Sequence, residues 1–178
     1  MHISVPWSSS SVKYFYYMKK ALFSQFGASI DTLEAVIRLC PDEQWDREHN
    51  IWYTAFHTIF FLDYYLTPDQ GNFAPPLPFD LSEFEDRMPA RVYQQDELLE
   101  YINHCRAKCR KFLDRSDESL LNERWVNASC TMNFSIFEIC LYNMRHVQHH
   151  AAQINQDLRR SANVAAKWIR ASAHELDV

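Results

Sequence analysis

The chain has 178 residues, of which 47% are hydrophobic and only two are glycine, and its formal net charge is −5. This length suits one domain, taken as residues 1–178, that buries roughly two thirds of its unfolded surface. So little glycine excludes turn-rich sandwiches, barrels and doubly wound sheets, and an acidic chain without a basic stripe speaks against nucleic-acid binding.

The N-terminal stretch, MHISVPWSSSSVKYFYYMKKALF, lacks a charged region followed by an unbroken apolar run and is not patterned as a signal peptide. A first helix is predicted from about Ser11 to Leu39, with Phe15, Leu22, Phe26, Ile30, Leu33 and Ile37 at helical spacings and Pro41 just past its end. A second starts near Asn50, carries IWYTAFHTIFFLDYYL and halts at Thr67-Pro68. It is apolar almost all round, so burial on most sides is expected. A third covers about Gln94 to Leu113. The fourth has the clearest start: Ser135 and Glu138 form a capping box, and Phe134 and Ile139 a hydrophobic staple. It runs to about Arg160 and ends in a basic turn. A short tail helix is expected around Val164 to Ala171, covering one end through Trp168. No stretch approaches the roughly 18 apolar residues of a membrane span.

The connections set the expected topology. Helices one and two are joined closely and should be antiparallel. Between helices two and three lies TPDQGNFAPPLPFDLSEFEDRMPARVY, with five prolines. A helix–helix hairpin does not need that much chain. At about 3.3 Å per extended residue it can travel back along a helix of ~25 Å. The expected fold is therefore an all-α four-helix bundle, up-down-down-up, with a long crossover between helices two and three.

Five cysteines, at 40, 105, 109, 130 and 140, form an odd set with no C-x-x-C pair. They read as reduced thiols of a cytoplasmic protein. Cys105 and Cys109 share a helix face with Leu98, Ile102 and Phe112, which is an ordinary core stripe.

The histidines are more specific. In RHVQHHAAQIN, Arg145 to Asn155, His146 and His150 lie one turn and about 40° apart on a helix, so two imidazoles can meet one ion. His149 is also within reach of His146, and spacing alone does not choose between 149 and 150. A third ligand must come from another helix. His57, in the most apolar helix, is the candidate; as a buried imidazole it needs partners for both nitrogens, and a tyrosine or backbone carbonyl would serve in a purely structural role. His2, His49, His104 and His174 read as surface residues. Three neutral imidazoles without a carboxylate would leave coordination positions open, which is the form of a catalytic rather than a structural centre. Gln153, Tyr53, Tyr142 and Asn143 are candidates for lining the same cavity.

A histidine in the middle of helix two, a long crossover and a final helix with H-x-x-x-H followed by a small residue, Gln and Ile resemble the DinB/YfiT-like superfamily. HHAAQIN is similar to that family's H-x-G-Q-[IL] ending, with Ala152 in place of glycine and His149 as an extra imidazole. The resemblance implies that His57, His146 and His150 are the metal ligands, and that the cofactor is a divalent ion, nickel or zinc. It further implies an enzyme that activates a low-molecular-weight thiol (an S-transferase) or water (a hydrolase), with Gln153, His149 and Tyr53 as candidate catalytic groups. The alternative is a non-catalytic metal- or ligand-binding bundle in stress response or protein interaction. The expected partner is a small molecule such as a thiol, with a homodimer as a further candidate; nucleic acid and membrane are not expected.

Overall fold

The structure, a computed structural model, describes residues 9–47 and 50–174; His2 and His49 lie outside them. In chain order the elements are helices α1 (Ser9–Leu39), α2 (Asp42–Trp45), α3 (Ile51–Tyr65), α4 (Gln95–Arg115) and α5 (Glu118–Asn122), strands β1 (Arg124–Val126) and β2 (Asn133–Ser135), and helix α6 (Ile136–Ser161). The fold is all-α apart from the small antiparallel hairpin. The four long helices, α1, α3, α4 and α6, are those the periodicity predicts. Among the described residues no helix is long and apolar enough to cross a membrane.

Their main interfaces are α1 on α6 and α4, and α3 on the same two helices. Polar contacts give the relative directions. Lys19, early in α1, donates to the Asp114 and Ser116 carbonyls at the end of α4, whereas Gln95, at the start of α4, donates to the Cys40 carbonyl just past α1. These two helices are antiparallel. Along α3 and α4 the contacts rise together: Phe56 meets Tyr93, the Cys105 thiol faces the Ile59 carbonyl, and Lys108 reaches Asp63 and Thr67. Those two helices advance in the same sense.

The predicted stripes form the core. Leu22, Phe26, Ile30, Leu33 and Ile37 of α1 are all buried, as are Leu98, Ile102, Cys105 and Cys109 of α4. Burial raises the Cys105 and Cys109 thiols well above their ordinary range, so neither is a ready thiolate. Cys130, on the hairpin, is the exposed thiol.

Three features depart from the sequence reading or were absent from it. The hairpin Arg124–Ser135 carries no glycine turn. Asn127 builds the turn instead, its side chain accepting from Met132 N–H at 2.8 Å, while Cys130 takes the left-handed conformation at φ 57°. The hairpin seats Trp125, 1% exposed, against Tyr64 and Tyr65 at the end of α3. Second, the crossover is an ordered strap, with Phe73, Phe79 and Tyr93 buried along it. Third, residues 164–171 are not a helix, and Trp168 is 77% exposed rather than a cover. Asn163, at φ 56°, turns the chain out of α6, and Asn155 then captures Ala166 by both its N–H and its C=O. With those backbone groups satisfied sideways, no helix forms. The irregular tail runs back over α1, where Ser172 N–H donates to the Ser24 carbonyl at 2.9 Å and Asp31 accepts from Ser172 and Ala173. Gly27 is required there: a Cβ would stand 2.5 Å from the Ser172 hydroxyl.

The most constrained polar group in the core is Asp63 of α3, 1% exposed. It accepts from Lys108 on one oxygen and from the Tyr101 hydroxyl at 2.9 Å on the other. Lys108→Met should therefore cost about 3 kcal/mol in urea unfolding, because it strands a buried carboxylate. Asp63→Asn added to it should recover part of the loss.

Candidate metal centre

The register between α3 and α6 is held by Asn143, which is fully buried and donates to the Leu62 carbonyl at 3.0 Å. Asn143 is thus a packing residue, the commoner of the two roles open to it, rather than part of a cavity lining. One turn further along α6, and a turn and a half back along α3, three imidazoles meet. Ring centroids lie 5.4 Å apart for His57 and His146, 4.9 Å for His57 and His150, and 4.6 Å for His146 and His150. One nitrogen from each falls within 4.8 Å of the other two. A tetrahedral ion at its usual ~2.1 Å needs nitrogens about 3.4 Å apart, so binding would draw the three rings closer together.

Two of the rings are oriented from outside. His57 Nδ1 lies 2.7 Å from a carboxylate oxygen of Glu83, which can only accept, so Nδ1 carries the proton and Nε2 is left with a free lone pair. His150 Nδ1 lies 2.6 Å from the Gln153 side-chain oxygen and is fixed in the same way. Such outer hydrogen bonds set the tautomer of metal-binding histidines. His146 has no such partner; its Nδ1 is buried and unbonded. Burial first, then the neighbouring imidazoles of His150, His57 and His149, push its pKa down to about 3. Burial also lowers His150. Donors held neutral in this way fit a divalent ion, which binds unprotonated imidazole. The residues present therefore fit the group.

Residues 25–154, which include all three imidazoles, match the family model of the DinB superfamily. The chain belongs to the DinB superfamily. Neither a curated protein nor a solved structure gives a significant match. Membership and geometry together make this a helical DinB protein with a histidine triad compatible with metal binding.

The neighbours expected from sequence are distributed unevenly. His149 is exposed and outside the triad, its ring 4.9 Å from that of His150. It stands where two open grooves meet. One, of about 510 Å³, is lined by Tyr142, Arg145, His146 and Gln148; the other, of about 470 Å³, by Thr54, Gln153, Gln156 and Asp157. Gln153 orients His150 and also faces a groove. Tyr53 lies beside His57, and burial together with the Glu83 carboxylate pushes its phenol up to about 12, so it stays protonated at neutral pH. His104 and His174 are exposed as expected. The residue that sequence reasoning missed is Glu83. It sits in an aperiodic loop, and the available signal was indirect: a buried histidine needs a partner for its second nitrogen.

Two outcomes follow from this geometry. His150→Ala should weaken zinc or nickel binding by orders of magnitude in a chelator competition, while His149→Ala should change it little; the reverse order would exchange the ligands. Acid should also destabilise the metal-free protein. Unfolded histidine takes a proton near pH 6.5, but folded His146 resists it to about 3, so stability falls as pH falls through that window. Urea unfolding in chelator should show this slope, and it should be shallower in His146→Leu.

Proposed function

We propose that the protein is a metal-dependent enzyme in which His57, His146 and His150 hold a divalent ion, nickel or zinc. The observation that carries this reading is the convergence of three imidazoles, two of them fixed by outer hydrogen bonds, with His146 lining a groove beside His149. A half-buried triad of this kind is poor packing material, since it leaves ring nitrogens short of partners. When bound, such an ion lowers the pKa of a coordinated thiol or water and presents it as a nucleophile.

The chain's own residues divide the remaining work. Gln153 and Glu83 hold two rings in the donating tautomer. His149, at the junction of the grooves, is placed to accept the proton of an incoming thiol or water. The protonated Tyr53 phenol faces the Glu83 carboxylate beside His57 and would have to turn its one O–H away from it to donate to an electrophile or leaving group. Groove volumes of about 470–510 Å³ suit a small organic molecule. A low-molecular-weight thiol transferred to an electrophile is the reaction we favour, with hydrolysis second.

The deciding experiment begins with elemental analysis of protein purified without added metal, followed by thiol consumption with an alkylating electrophile. Near-stoichiometric nickel or zinc, and turnover that chelator removes and metal restores, are expected. His149→Ala should then lower kcat with metal content unchanged. Protein that binds the ion but turns over neither thiol nor ester substrates would be a binding module, and protein that takes up no ion would end the reading altogether.

A further inference from the structure

Two carboxylates buried elsewhere in the bundle face a fixed cation: Asp63 faces Lys108, and Asp31 faces Arg106, which also pairs with the half-buried Glu34. Glu83 is different. Its side chain is only 5% exposed, yet among the described residues it faces the His57 ring and the Tyr53 phenol and no lysine or arginine. Its second oxygen is buried without a hydrogen bond. A carboxylate withdrawn from water needs positive charge nearby. An ion held on the far nitrogen of His57 would place that charge one imidazole away.

The carboxylate belongs to a self-contained turn of the crossover. In residues 80–87, Ser82 N–H donates to Asp80, Arg87 N–H to the Ser82 carbonyl, and the Arg87 guanidinium to Asp80 and Glu85. Phe84 rests on Phe60, Phe61 and Tyr64 of α3. Among the described residues, the turn's side-chain hydrogen bond to the long helices is that of Glu83 with His57.

We propose that Glu83 is the counter-charge of the ion and a positioning residue acting through His57, so that ion binding and docking of residues 80–87 reinforce one another. The proposal rests on the metal-binding reading above. Because the coupling is reciprocal, whatever factor the docked turn adds to ion affinity, the ion adds to docking of the turn. It also assigns the long crossover a purpose that topology alone does not require, which is to deliver one negative charge to a centre built from neutral ligands.

Glu83→Gln tests this because it keeps an oxygen that can accept from His57 Nδ1 and removes only the charge. Three measurements are compared with wild type: zinc affinity by competition with a chromogenic chelator, thermal unfolding with zinc and with EDTA, and hydrogen exchange of residues 80–87 with and without zinc. Zinc affinity should fall about tenfold, and further in Glu83→Ala, within the 10–100-fold typical of outer ligand partners. In EDTA, Glu83→Gln should unfold at or above the wild-type temperature, since an uncompensated charge is gone; with zinc it should unfold below it. Exchange of residues 80–87 in the wild type should slow on adding zinc. Zinc affinity within twofold of wild type, equal destabilisation with and without zinc, or wild-type exchange indifferent to zinc would each overturn the proposal. A wild type that binds no zinc removes the metal reading as well, whereas a zinc-binding wild type with an indifferent Glu83→Gln removes only the coupling.

Discussion

A helix buried on nearly every side cannot carry an unpaired polar group, and α3 carries two that matter, His57 and Asp63. Each recruits a partner from a different part of the chain. Asp63 draws Lys108 and Tyr101 from α4, which fixes how that helix lies along α3. His57 draws Glu83 out of the crossover and faces two imidazoles of α6. The Asn143 amide, bonded to the Leu62 carbonyl, sets the height at which α6 meets α3. Much of the bundle's arrangement can therefore be understood as satisfaction of the polar groups of one apolar helix.

The sequence revealed most where structure is periodic or capped. Residues recurring every three to four positions located α1 and α4, a continuous apolar run ending at Thr67-Pro68 located α3, and Ser135 with Glu138 marked the start of α6 within a residue because the capping box is a local, two-way hydrogen-bond device. His146 and His150 were legible as a pair for the same reason, since a helix fixes the angle between positions four apart. The choice of His150 over His149 was not a matter of spacing; it followed from resemblance, and it agrees with where the two rings lie.

What stayed hidden depends on side chains acting at a distance. The turn at Asn127 lacks the glycine that marks most hairpins; it is closed by an asparagine side chain and a cysteine in the left-handed region, a weaker local signal. The run VAAKWIRA contains good helix formers, and local propensity favours a helix there. Tertiary hydrogen bonds from Asn155, Ser24 and Asp31 override it. Glu83 is the functional counterpart: one acidic residue among several in DLSEFED, distinguished only by a partner 26 positions earlier in the chain. Composition and periodicity do not register such a contact.

The docked tail can also be regarded as an intramolecular ligand of α1. Its recognition elements are those of a peptide complex: a backbone hydrogen bond at Ser24, a close approach that only Gly27 permits, and an acidic acceptor, Asp31, that takes a hydroxyl and an amide together. Asp31 also accepts from Arg106 of α4, so the tail's binding site and the α1–α4 interface share one carboxylate. The short tether holds the tail at a high effective concentration, where weak individual contacts suffice for occupancy. A free peptide of the same sequence lacks that advantage and would be displaced readily, so the stretch of α1 around Gly27 is a surface the protein covers with its own chain.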